Sequence, residues 1–359
     1  MKKAVSITMV VLLAVLQVLS FASCKATEKQ KHSANYFDYF DTVTTITAYT
    51  QTEEEFKALC DEITSLLDEY HKLYTIYNRY EDIPNLVTIN DLTDGEHSVV
   101  KVDKKIIDML VFAKEMYYKT NGNVNVAMGS VLKIWHNYRN RGMDDPVNAE
   151  LPPMEKLIEA RKHTDINNLV IDTENNTVYI SDPLMTLDVG AVAKGYAVEQ
   201  ICRHLEEKGI SDVLLNVGGN IRTIGFAGAE NNPWKAGIEN PDTGDEEKPF
   251  IEYVELSGEA IVTSGSYQRF YIVKGESYHH IIDPETLMPG TKYMSVSVIT
   301  NDSGLGDAFS TALFLMDYEE GKKLVEESPN VEAMWVFPDG KQLYSSGFEN
   351  YTFDYEAQK

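Results

Sequence analysis

Cysteine is scarce: the 359 residues contain three, Cys24, Cys60 and Cys202. Basic residues are few beside acids, 32 Lys and Arg against 56 Asp and Glu, for a net charge of −24. Nucleic-acid binding needs a basic footprint, so that class is excluded. A phosphate-rich ligand would also be repelled unless a cation or a helix N-terminus offsets the field locally. The G-x-x-x-x-G-K-[ST] spacing of a P-loop is absent, as are internal repeats and, from Tyr36 onward, any stretch resembling a domain linker. A long apolar run occurs only near the N-terminus, over residues 10–19, broken by Gln17. What remains is ordinary globular composition, 43% hydrophobic and 25% charged, in a chain long enough to bury a large core.

The N-terminus reads as an export signal. Lys2 and Lys3 precede the apolar run, and the small residues Ala22 and Ser23 stand directly before Cys24. This arrangement resembles the lipobox of bacterial lipoproteins, with Phe21 where a smaller aliphatic residue is usual. It implies a signal over 1–23, lipidation of Cys24 and an extracytoplasmic, membrane-anchored protein; the alternatives are an uncleaved anchor or ordinary secretion. Residues 24–35 then form a polar, flexible tether without hydrophobic periodicity. The other cysteines lie in helical-looking, apolar surroundings, where they either pair in an oxidising compartment or stay as buried thiols.

The remaining 36–352 reads as a single α+β unit, with large mixed or antiparallel sheets and packed helices. β-rich runs predict strands at 42–49, 213–217, 251–256, 270–273, 295–299 and 334–337, and a hairpin from 168–171 to 178–180. Apolar spacing of three and four predicts helices at 53–72, 104–120, 191–208, 307–316 and 319–326.

Three segments carry chemistry. In LDVGAVAKG (187–195) a strand gives way to a glycine turn and a helix start whose N–H groups can face an anion, with Lys194 in the first turn. In GDAFSTALFLM (306–316) Asp307 and Thr311 stand four apart on a helix, a hard-oxygen pair suited to Mg2+. The structural alternative is that Asp307 merely caps the helix. In SYHHIIDP (277–284) His280 and Asp283 sit at a strand end suited to a general base, and alternation turns His279 to the surface. His136 has no evident partner and reads as structural. An anion-facing helix start, a cation pair and a base are the equipment of metal-assisted phosphoryl transfer.

From about Tyr36 to Tyr344 the sequence resembles the ApbE-type FAD:protein FMN transferases. LDVGAVAKGY, NVGGN (216–220), Thr263-Ser264-Gly265, HIIDP (280–284) and DAFST (307–311) follow that family's motifs in order. Departures occur at Phe40-Asp41-Thr42, where the family often has Met-Gly-Thr, and at Asn123, Val124 and Asn125, where Ala-Phe-Asp is usual. The resemblance implies a flavin cleft between two lobes and Mg2+ held by Ala191, Asp307 and Thr311. It implies flavin contacts from Phe40, Tyr80, Asn123, Val124, Asn125, Asp188, Lys194 and Ile282. His280 is the implied base or orienting group, with Asp283 near it. The implied reaction moves FMN from FAD to a Thr or Ser of an acceptor protein, by analogy an extracytoplasmic redox-complex subunit, and releases AMP. Hydrolysis of FAD to FMN and AMP is one alternative. A non-catalytic FAD-binding lipoprotein is the other.

Overall fold

The computed structural model describes residues 29–228, 230–245 and 247–355. The export signal and Cys24 lie outside them. Among the described residues no helix is long and apolar enough to cross a membrane.

An eight-stranded antiparallel sheet forms the frame. Its strands are β1 (Gln30–Tyr39), β2 (Thr42–Thr50), β3 (Val213–Val217), β4 (Asn220–Ile224), β5 (Ala260–Gly265), β6 (Ser295–Thr300), β7 (Val331–Val336) and β8 (Gln342–Tyr344). Spatial order follows chain order throughout, so the sheet is a meander whose connections carry the rest of the protein. The largest insertion joins β2 to β3. It holds α1 (Glu53–Tyr74), α2 (Lys104–Lys119), α3 (Gly129–Asp144) and α4 (Ala193–Glu207). Helix α5 (Ser303–Leu315) and α6 (Tyr318–Glu326) join β6 to β7.

Strand periodicity sorts the core. On β7, Val331, Ala333 and Trp335 join the large cluster under the helices, while Met334 and Val336 join a second cluster on the other face. There the hairpin of Trp234–Glu239 and Phe250–Leu256 covers the sheet with Ala236, Ile238, Val254 and Leu256. Strand β6 is buried along its whole length because both faces are covered. Cys60 on α1 and Cys202 on α4 are free, buried thiols.

The predicted helices and strands are present, with shifts of a few residues at their ends. Two expectations change. Residues 30–35 are not tether: β1 begins at Gln30 and pairs with β2 in register from Gln30 opposite Thr50 to Tyr36 opposite Thr44. His32, Ala34 and Tyr36 alternate inward, and the His32 ring stacks on Phe56 with centroids 5.3 Å apart. That period of two is hidden by polar residues, because β1 is an edge strand with one face in water. Helix α5 likewise starts at Ser303, four residues before the predicted 307.

Candidate active site

Helix α4 starts after Val192 without a side-chain cap; the Ala193 N–H is taken up by the Val189 carbonyl at 2.9 Å. A regular turn would direct the Gly195 N–H at the Ala191 carbonyl. It donates instead to Asp307 Oδ2 at 2.7 Å. The approach needs glycine: a Cβ at 195 would lie 2.4 Å from Asp307 Cβ and 2.4 Å from the Ser303 carbonyl oxygen. Asp307 does not cap α5. Asp302 does, accepting the Leu305 N–H at 3.0 Å, and Asp307 is buried in the second turn. Thr311 follows on the same face, its hydroxyl 3.3 Å from Ser264 Oγ.

Lys194 Nζ donates to the Gly218 carbonyl at 3.0 Å. Burial lowers its proton affinity, and the Asp307 carboxylate opposes that shift. Burial raises the Asp307 pKa, while Lys194 and the Gly195 N–H pull it down. Each charge is thus the other's main compensation in a region with little water.

These groups open on a cavity of about 710 Å³. Ala191, Lys194, Asp307 and Thr311 line it, together with Phe40, Asn123, Val124, Asn125, Asp188, His280 and Ile282. Phe40 and Asp41 adopt left-handed backbone, φ 52° and 53°, in the tight β1–β2 turn. Asn125 uses its side chain locally, accepting from the Ala127 N–H and donating to the Thr164 carbonyl. The Ala191 carbonyl, the Asp307 carboxylate and the Thr311 hydroxyl are hard-oxygen donors of the type Mg2+ takes. Among the described residues no cluster of three or more His, Cys, Asp or Glu offers an alternative metal site. So sparse a protein shell fits a cation completed by water and phosphate.

Two predicted site residues lie elsewhere. Tyr80 bridges to Ile83 outside the cavity wall, with Lys72 Nζ 5.8 Å from its ring centre. Tyr77 lines the cavity in its place, because the Thr75 hydroxyl accepts the Tyr77 and Asn78 N–H groups and bends the chain there. Asp283 is committed to a turn: its Oδ1 accepts from Glu285 at 2.7 Å and Thr286 at 2.9 Å. His279 is buried rather than surface-facing, with Nε2 2.7 Å from the Gly290 carbonyl and Nδ1 accepting the Ile281 N–H. Alternation holds, but its outward side here is the cavity, and His280 faces it.

His280 Nδ1 is buried without a hydrogen-bond partner. Its pKa is pushed down to about 3, by burial first and then by Arg269, His279 and Arg139. The imidazole is therefore neutral at physiological pH, with a lone pair free.

The cavity also holds residues that pattern reading missed. His136 and Arg139 stand three apart on α3, a spacing that places both on one helix face. His136 Nδ1 lies 3.2 Å from the Tyr77 hydroxyl, and its Nε2 lies 3.9 Å from Asp188 Oδ2. Arg269 enters from the loop after β5.

Known proteins resemble this chain along most of its length. The profile of the ApbE family matches residues 40–335. The chain is 32% identical over 306 residues to an FAD:protein FMN transferase of Treponema pallidum, covering 82% of this chain and 81% of that protein. It is 28% identical to one of Klebsiella pneumoniae, covering 81% and 85%. Its fold superposes on the crystal structure of the ApbE protein of Thermotoga maritima with a TM-score of 0.77 at 26% identity, covering 90% of this chain and 100% of that one. For the flavin transferase ApbE of Vibrio cholerae the TM-score is 0.73 at 25% identity, with 90% and 99% covered. With most of its length matched, the chain belongs to the ApbE family.

Proposed function

We propose that this protein is a Mg2+-dependent FAD:protein FMN transferase, which esterifies a Thr or Ser hydroxyl of an acceptor protein and releases AMP. The observation that carries the reading is the Gly195–Asp307 contact. It brings Lys194, the free Ala191 carbonyl and the Asp307–Thr311 pair onto one cavity wall. Relatives named for this reaction across most of the chain support it.

Ala191, Asp307 and Thr311 would hold the cation, which when bound withdraws charge from phosphate oxygens. Lys194 adds a full positive charge, already positioned by the Gly218 carbonyl. Together these offset the acidic chain locally, as a diphosphate ligand requires. His280, which lines the cavity, accepts the proton of the acceptor hydroxyl on its neutral imidazole. The hydroxyl oxygen bonds to the FMN-side phosphorus, the bond from that phosphorus to the bridging oxygen breaks, and AMP leaves with that oxygen. A bound diphosphate neutralises the field of Arg269 and Arg139, so His280 becomes more basic when substrate is present.

Lys2, Lys3, the apolar run and Cys24 support a lipid-anchored, extracytoplasmic location, and an acceptor subunit of a redox complex facing the same compartment. Incorporation of labelled palmitate that survives Cys24→Ala would remove the anchor from this reading.

The test incubates the protein with FAD, Mg2+ and a candidate acceptor domain, with and without EDTA, and reads the acceptor by mass spectrometry. A Mg2+-dependent gain of one FMN phosphoester is expected. Release of FMN and AMP with every acceptor tried would indicate hydrolysis. Bound, unaltered FAD would indicate a storage protein.

A further inference from the structure

Two guanidinium groups on the cavity wall bear on His280 through their field but have no ligand group of their own in the assignments above. Arg139 is half-buried on α3, and Arg269 stands in the loop that follows β5. Among the described residues neither forms an ion pair with a carboxylate, in a chain that carries 56 acids. Among the described residues the hydrogen bond that their guanidinium groups make is a long contact, 3.5 Å, from Arg269 to the Asp41 carbonyl oxygen. Burial lowers the proton affinity of Arg139 and Arg269 lowers it further, with Tyr77 and Asp188 opposing. The field of Arg269 also reaches Lys194 and His280. Two cations lining one cavity without an ion-paired carboxylate among the described residues, one of them half out of water, are an arrangement that an anion would relieve.

The charge count points to the anion. Lys194 and the Mg2+ donors serve one phosphate of a diphosphate. The second is the phosphate that departs, and it gains charge as it leaves, approaching two negative charges as a monoester. Two guanidinium forks match a phosphate dianion, whereas a single acceptor carboxylate would leave one of them unpaired. We infer that Arg139 and Arg269 together form the subsite for the adenylate-side phosphate of FAD and hold it as AMP departs. The identity of the ligand rests on the transferase reading; the existence of an anion subsite does not. Because the charge there rises during the reaction, the pair stabilises the departing group more than bound FAD.

The test titrates AMP, and separately FMN, into the full-length protein in EDTA by calorimetry, comparing Arg139→Gln, Arg269→Gln and Arg269→Lys with the parent. Each Gln variant is expected to weaken AMP by about tenfold or more, the scale of a lost charge-assisted bond, with FMN changed far less. Arg269→Lys, which keeps charge but loses the fork, falls between. Thermal melting checks that each variant is folded, and the Lys variant carries the comparison if a Gln variant is not. Unchanged AMP affinity, equal losses for AMP and FMN, or no AMP binding by the parent would each overturn the subsite. A raised KM for the acceptor at unchanged AMP affinity would also overturn it and reassign the pair to an acceptor carboxylate. If AMP discriminates as expected but no acceptor is ever modified, the subsite stands and the transferase reading falls.

Discussion

The backbone N–H of Gly195 donates to Oδ2 of Asp307 at 2.7 Å, joining the starts of two helices across 112 residues of sequence. One contact does three things. It satisfies an orphan donor of α4, commits one oxygen of a buried carboxylate while leaving the other uncommitted, and frees the Ala191 carbonyl from its helical partner. The grouping of the Ala191 carbonyl with Asp307 and Thr311 is therefore a consequence of how α4 and α5 pack.

Asp307→Asn separates charge from packing. The amide oxygen still accepts the Gly195 N–H, but the buried Lys194 ammonium loses its main compensation, so the melting temperature is expected to fall while the fold is kept. Mg2+-dependent turnover is expected to fall about a hundredfold or more, as when several kcal/mol of charge stabilisation are lost. Full activity in Asp307→Asn or Asp307→Ala would sink the metal assignment.

Gly195→Ala tests the close approach. The added methyl must displace Asp307 or the Ser303 carbonyl, and such overpacking costs roughly 1–3 kcal/mol. Melting temperature and turnover should drop together. A variant stable and active at the parent's level would contradict the geometry.

Asn90 clamps Leu187 from both sides, accepting its N–H at 2.7 Å and donating to its carbonyl at 2.9 Å. Leu187 is buried, so Asn90→Ala leaves two backbone groups unpaired at a cost of about 1–3 kcal/mol each. Urea unfolding should show the loss. The shift should be accompanied by a lower kcat/KM for FAD, because Leu187 leads directly into Asp188 and Lys194.

The pH dependence follows from His280. Its folded pKa of about 3 lies below the ordinary value of 6.5, so the unfolded chain binds the proton first as acid is added. Its contribution to stability is complete above 6.5 and is lost as pH falls through that window toward 3. His280→Gln should flatten part of the acid limb of a melting-temperature profile; His97 and His279, lowered by burial in the same direction, supply other parts. The kcat/KM profile, which reports the free enzyme, should show no imidazole limb near 6.5. A limb there that disappears in His280→Gln would refute the depressed pKa.

Much of the fold was legible because its signals are local. The three- and four-residue spacing of Phe56, Leu59, Cys60, Ile63 and Leu67 predicts α1, and Val213–Val217 is buried as a strand where its apolar run predicts one. Strand β1 was not legible, since an edge strand with polar residues on both faces reads as linker until its partner is known. Helix α3 was missed for a related reason. Among its sixteen residues Gly129, Val131, Trp135 and Gly142 are buried, too few for a clear apolar stripe.

The site divides in the same way. The sequence alone determined the chemical repertoire: a glycine-started helix with Lys194, an Asp307–Thr311 pair at helical spacing, and a histidine at a strand end. Tertiary structure decided which members of that repertoire meet. It turned Asp283 into a turn cap, replaced Tyr80 with Tyr77, put His280 rather than His279 on the cavity, and brought in Arg139 and Arg269. The reason is physical. Local spacing sets which face of an element a side chain occupies, but what covers that face depends on elements a hundred or more residues away.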